Sequence, residues 1–393
     1  MSSSSLPRSS PSLRSSSPTI NLTNPEETAE LIATYKRQLN HLSDKLAQAT
    51  QPQPKRPTTT KTLGRGIRKL VTLFDNLLPI LDEAERRKIH GIANTNADPQ
   101  KARIQQRTFR SYPIFLQLVP QVKTVALSKS LPEINDFLAD SFFKLEAGAN
   151  SARSDDIKRV KEDIAAWINK EYKPVQFLER ASRDNRGLQH DVCGRLLTPI
   201  MFNWDDLEVR ANIQGSKEGF IINSNYYLRC LYPKGDFDVN RIERNLLRGK
   251  LLVYCSIFTS PSSAEGIDDE DEGEELGPAR KKQKSARATK SCVASLLNMD
   301  GKVTGRSIAY AAVLMVFNLT NAVSWTETYN NFSFIGFYNF LVDYFEEERS
   351  ANSTRRVKEL LEWWNDQVFP EHVASMGDSD ESRELLLTQD DDY

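Results

Sequence analysis

Histidine and cysteine, the side chains on which most protein chemistry is built, are scarce in this chain: four of each among 393 residues. Cys193, Cys230, Cys255 and Cys292 stand 37, 25 and 37 residues apart. That is too sparse for a disulfide framework and lacks the paired spacing of a zinc site. A reducing compartment fits such usage. There is no P-loop, no GxGxxG, no GxSxG elbow and no HExxH, so the usual sequence signs of phosphate cradling, serine hydrolysis and zinc peptidase chemistry are missing. No cofactor and no metal are expected. Long apolar runs are also absent: the longest, IAYAAVLMVF, is well short of the roughly 20 residues that span a bilayer. The N-terminal MSSSSLPRSSPSLRSSSPTINLTN has no apolar signal core. The expectation is a soluble intracellular protein with no membrane partner, whose sequons at Asn21, Asn318, Asn331 and Asn352 carry no glycan. Charge of one sign is missing too, with 52 basic against 53 acidic residues, so any attraction to polyanions must be local.

What the chain does have is helical periodicity; strand-like alternation is nearly absent. Residues 1–25 are Ser/Pro-rich and read as a disordered tail, in which Ser10 and Ser17, each before a proline, are candidate phosphorylation sites. Residues 26–49 read as a short coiled-coil helix. Asn24 caps it, Pro25 opens it, Glu26 and Glu27 suit its positive end, and Ile32, Tyr35, Leu39, Leu42 and Leu46 form the seam. That helix either joins two copies in a homodimer or docks a partner, or it lies on the core of its own chain. Residues 50–62 are a Pro-rich linker. The helical body then takes up 63–264 and 291–370, interrupted by a charged insertion at 265–290 and followed by an acidic tail, 371–393, that reads as disordered.

Within the body, Ile67, Leu70, Val71, Phe74, Leu77 and Leu78 fall on one helical face with a kink expected at Pro79. Helical patterns recur at 109–127, at 131–145 and at 154–172, the last with Ser154 as its cap. VTGRSIAYAAVLMVFNLTNAV is apolar almost all round and is predicted as the central buried helix. Two more helices follow in FSFIGFYNFLVDYFEEE and TRRVKELLEWWNDQVFP. The predicted fold is mainly α: an irregular helical bundle with a less regular, aromatic-rich middle at 174–264 that has room for a small hairpin, flanked by disordered tails.

Five blocks carry a resemblance. GRLLTPIMFNWDD, LLRGKLLVYCSIFTSPSSA, GRSIAYAAVLMVFNLTNAVSW, FYNFLVDYFE and LLEWWNDQVFP, in that order over roughly 175–370, resemble an uncharacterised domain-of-unknown-function family expanded in mushroom-forming (basidiomycete) fungi. The resemblance implies no activity. Where the family pattern has His-Gly this chain has Leu297-Asn298 before Met299, and Gly305 stands in place of the usual Pro. A catalytic role for that histidine therefore does not carry over.

The search for chemistry yields little. His190 is three residues before Cys193, a spacing conceivable for a base and a thiol nucleophile but without a third, orienting group. Asp236 and Asp238 have a metal-chelating DxD spacing, and Asp205, Asp206 and Glu208 are a second carboxylate group. The plainer reading makes Asp205-Asp206 a helix start and PKGDFD a turn. In SIFTSPSSA, the hydroxyls of Thr259, Ser260, Ser262 and Ser263 suit a helix end, with Ser260-Pro261 a candidate phosphorylation site. The insertion is more informative. Eight acids (Glu265, Asp268, Asp269, Glu270, Asp271, Glu272, Glu274 and Glu275) precede six bases (Arg280, Lys281, Lys282, Lys284, Arg287 and Lys290). Arg280, Lys281, Lys282 and Lys284 have the spacing of a nuclear import signal; the alternative is a charge-balanced, solubilising loop. Localisation is expected to be nuclear, or otherwise cytoplasmic. The leading expectation is a non-enzymatic nuclear interaction protein with protein partners, an import receptor among them. The alternative is a weak, sequence-nonspecific nucleic-acid binder, because residues 1–70 hold eleven basic against four acidic side chains. An enzyme ranks third.

Overall fold

Capping and breaking residues set the helices of this protein, and they sometimes overrule the apolar spacing. The computed structural model describes residues 60–91, 98–122, 131–235, 237–238, 240–259, 302–347 and 350–368, all within the unit Thr58–Tyr393. Two short helices, α1 (Thr60–Gly64) and α2 (Ile67–Leu70), come first. The single helical face predicted across 67–78 is broken after Leu70. Thr72 Oγ1 donates to Asp75 Oδ2 at 2.9 Å and accepts from Asp75 N at 3.2 Å, so a side-chain turn replaces helix there. Helix α3 (Leu77–His90) then starts afresh. Its Leu77 N–H is taken by Glu146 Oε1 at 3.2 Å. Pro79 lies in the first turn, where no N–H is needed, and therefore opens a helix instead of kinking one. Leu78, predicted on the buried face, is 58% exposed.

Helix α4 (Pro99–Leu118) is capped by Asp98, which accepts from Gln100 N at 2.9 Å, with Pro99 at the first helical position. Helix α5 (Leu131–Glu171) runs for 41 residues and fuses two patterns that the sequence suggested were separate. Ser154 lies in its interior and caps nothing. The helix ends where Lys173 takes a positive φ of 46°, just before Pro174. The irregular middle holds α6 (Asp191–Leu197), α7 (Leu207–Gln214) and α8 (Lys250–Thr259). Helix α9 (Gly305–Leu319) starts in a capping box: Thr304 Oγ1 accepts from Ser307 N, and Ser307 Oγ accepts from Thr304 N. A two-stranded antiparallel hairpin follows, β1 (Thr328–Tyr329) and β2 (Phe332–Ser333), in register Tyr329 to Phe332. It turns on Asn330 and Asn331, both at positive φ, as a tight hairpin favours. The hairpin thus lies outside the middle, which instead has an isolated bridge between Pro199 and Leu228. Helices α10 (Phe334–Glu346) and α11 (Ala351–Val368) complete the described chain.

The fold is mainly α, and its centre is α9. Every side chain from Ile308 to Leu319 is buried, among α5, α8 and α10. Each fully buried large apolar side chain there contributes about 1.5–3 kcal/mol. A second core joins α1–α4 to the first half of α5, around Ile67, Leu77, Ile80, Phe115 and Leu145. The second half of α5 supplies Val160, Ile164 and Ile168 to the main core, so one long helix serves both. Arg306 ties the cores together. It pairs with Glu346 of α10 at 2.5 Å and donates to Val71 O, to Ser111 Oγ at 2.5 Å and to Arg107 O at 3.2 Å.

Candidate functional site

At the carboxyl end of α9 the packed interior opens into a pocket of about 190 Å³. Its floor is apolar: Leu188, Leu197, Ile222, Val316 and Phe332. Its rim is polar and uncharged: Gln189, Gln214, Ser216, Thr320, Asn321, Tyr329 and Asn330. The rim follows from how α9 ends. Thr320 Oγ1 donates to Phe317 O at 2.7 Å and accepts from Ala322 N at 3.3 Å, which turns the chain out of the helix. Gly187 N donates to Leu319 O at 2.9 Å, docking a second segment onto that turn. Here glycine is required twice over. Its φ is 85°, and a Cβ would stand 2.8 Å from Asn321 Oδ1. Asn321 Oδ1 in turn accepts from Tyr329 Oη at 2.9 Å, while Gln214 Nε2 donates to Leu188 O at 2.9 Å. Ser216 and Asn330 present their side chains from backbone at φ 50° and 46°.

No carboxylate, amine, imidazole or thiol lines the pocket. Its hydroxyls at Ser216, Thr320 and Tyr329 have no base among the lining residues, so the arrangement suits binding better than bond-making. Neutral walls also disfavour a charged guest, which would lose its hydration without a compensating partner.

The residues singled out from the sequence have other roles. His190 caps α6: its Nδ1 accepts from Cys193 N at 3.2 Å and its Nε2 donates to Gln176 O at 2.8 Å. The imidazole therefore holds the cysteine's backbone and is not a base for its sulfur. Burial pushes the Cys193 thiol up to about 12, and it raises Cys230 and Cys255 as well, the environment of inert structural cysteines. Asp206 caps α7, accepting from Glu208 N at 2.9 Å and Val209 N at 3.3 Å. Asp205 pairs with Arg195 at 3.6 Å. Asp238 Oδ1 accepts from Asn240 N at 3.0 Å, a turn contact. Among the described residues no group of three His, Cys, Asp or Glu side chains is placed to hold a metal ion. Of the eleven N-terminal basic residues, Arg65 pairs with Asp155 at 3.0 Å, Arg68 with Glu146 at 2.5 Å and Lys69 with Asp156 at 3.0 Å.

Asp236, the side chain of Thr259, Ser260, Ser262 and Ser263 lie outside the described residues. So do Ser10, Ser17, the seam at Ile32, Tyr35, Leu39, Leu42 and Leu46, and the cluster Arg280, Lys281, Lys282 and Lys284.

Residues 147–369, more than half of the chain, match the model of a family of unknown function, DUF6698. The chain belongs to that family. The whole pocket lies within the DUF6698 region, whereas α1–α4 precede it. No curated protein and no solved structure matches the chain. The pocket residues of this DUF6698 member went unnoticed in the sequence because the segments that supply them, near 187–197, 214–222, 316–321 and 329–332, share no motif. The available signals were indirect: a glycine at 187 and the turn-forming pair Asn330-Asn331.

Proposed function

We propose that this DUF6698 member is a non-enzymatic nuclear interaction protein that docks protein partners through its helical body and its charged segments. One observation carries the docking reading. Next to the pocket residue Ile222 along the chain, Ile221 is 40% exposed; Met201 is 63% exposed, and the rings of the adjacent Phe202 and Phe220 pack together at 5.4 Å. Ile222 itself lines the pocket. Two exposed apolar side chains joined through a packed pair of rings offer a starting point for a docking surface. The cluster Arg280, Lys281, Lys282 and Lys284 supports entry to the nucleus by an import receptor, and the seam at 26–49 supports a homodimer.

The test is affinity purification of the full chain, with and without nuclease, beside a Met201→Glu/Ile221→Glu variant that retains its thermal unfolding. A defined partner that survives nuclease and is lost with the variant is the expected result. Loss of all bound material on nuclease treatment would favour the second reading, a weak, sequence-nonspecific nucleic-acid binder using the basic N-terminal region. The excess of eleven basic over four acidic residues in 1–70 favours that reading. The pairing of Arg65, Arg68 and Lys69 with carboxylates of α5 weakens it.

A further inference from the structure

The pocket at the end of α9 has features that a flat protein-docking surface does not need. Its volume of about 190 Å³ exceeds the roughly 150 Å³ of a cavity that accepts benzene, so one ring or a small fused pair of rings fills it. The floor of Val316, Ile222 and Phe332 suits the face of such a ring.

The edges are more selective. Gln214 donates Nε2 to a backbone carbonyl, Leu188 O. A carbonyl can only accept, so this bond fixes which way the amide points and leaves Gln214 Oε1 as an acceptor with no partner among the described residues. Asn321 is held through Oδ1 by Tyr329, which leaves its Nδ2 as a donor. Gly187 lets Asn321 approach this closely, since a Cβ there would meet Oδ1 at 2.8 Å. One free acceptor and one free donor, each on an amide anchored by its other atom, form a preorganised complement to a guest with its own donor and acceptor. The walls are uncharged, so the guest's buried part is neutral.

We infer that this pocket binds a neutral, flat heterocycle with amide-like edges, the chemistry of a nucleobase, with Gln214 and Asn321 reading its edge and Ile222, Val316 and Phe332 covering its face. The inference goes beyond the docking reading and does not rest on it. A free nucleoside and an unstacked base in a single strand both present this edge.

Isothermal titration of the full-length protein with adenosine, guanosine, cytidine and uridine tests the assignment. At least one nucleoside binds saturably. Gln214→Ala and Asn321→Ala each weaken that binding about tenfold, which corresponds to about 1.4 kcal/mol, with thermal unfolding kept at the parent's temperature. A single-stranded oligonucleotide that displaces the nucleoside identifies the strand as the source, and failure to displace it identifies the free nucleoside. Absence of saturable binding by all four nucleosides overturns the inference. So does tighter binding of N-acetyltyrosinamide, which would make the pocket a receptor for a partner's side chain, and so does binding that neither substitution weakens.

Discussion

Glu83 and Arg306 are buried ionic residues that respond differently to loss of charge. Glu83 Oε1 and Oε2 are held by Arg86 at 2.7 Å and by Arg87 at 2.6 Å. The hydrogen bond from Arg86, with help from Arg87, holds its carboxyl below the usual range. Because the folded value lies below the unfolded one, the stabilisation is complete above the ordinary glutamate value of about 4.3. It is lost as pH falls through the lower folded value. Glu83→Gln should therefore be less stable than the parent at pH 7, with the gap closing toward pH 3. Urea unfolding at both pH values checks this, and a gap that stays constant would contradict it. Arg306 has more partners to abandon. Arg306→Met strands the Glu346 carboxylate and takes one donor each from Val71 O and Arg107 O, carbonyls that Ser111 Oγ also reaches, at 3.4 and 3.0 Å. Removing one partner of a buried pair costs about 3–5 kcal/mol, and the partial exposure of Glu346 places the expected loss near the lower end. Adding Glu346→Gln to Arg306→Met should recover part of it in chemical denaturation, because the stranded charge is gone. Residue chemistry of this kind was partly legible in the sequence. Asp206 at a helix start was read correctly from its neighbours, whereas the partners of Arg306, at sequence separations of 40 to 235 residues, had no local sign.

At the scale of elements, composition was a better guide than boundaries. Helix α9 was recognisable because a segment apolar on every face has to be enclosed. The break after Leu70 was not recognised, since Thr72 and Asp75 continue a plausible helix until their side chains bond each other. Nor was the continuity of α5 anticipated: Ser154 resembles a cap, and only packing on both cores shows that the helix runs through it. Gly148 explains part of that packing. At the crossing of α1 and α5, a Cβ on Gly148 would run into Lys61 O and come within 3.3 Å of Gly64 Cα. Inside a helix, alanine is favoured over glycine by about 1 kcal/mol. At this site the obstruction is backbone on both sides and cannot rotate away, and overpacking costs about 1–3 kcal/mol. The steric term should win, so Gly148→Ala is expected to lower stability by about 1 kcal/mol net, measured by urea denaturation. An unchanged or higher midpoint would mean that α1 can move off α5 at little cost.

For the whole molecule, the DUF6698 region and the N-terminal helices share α5 and Arg306, so the folded body extends beyond the family match on the amino-terminal side. The charged insertion at 265–290 yields a prediction of its own. Residues 265–277 contain eight acids and only two large apolar side chains, Ile267 and Leu276. That composition offers a core little apolar surface. Deleting 265–277 should therefore change stability by less than about 1 kcal/mol, the range of surface substitutions. The basic half is predicted to act through its charges alone. Replacing Lys281, Lys282 and Lys284 with alanine should leave thermal unfolding unchanged. It should also move the protein, fused to a tag large enough to prevent passive entry, from nucleus to cytoplasm. The expectation is that an import receptor reads those charges and that folding does not depend on them. Retention of the triple variant in the nucleus would count against the import signal once Lys55 and Arg56, the other basic pair in a Pro-rich segment, have been replaced as well. Thermal unfolding is the control that separates the two causes. A lowered midpoint together with loss from the nucleus would mean that the three lysines support the fold, whereas an unchanged midpoint with the same redistribution assigns them to recognition.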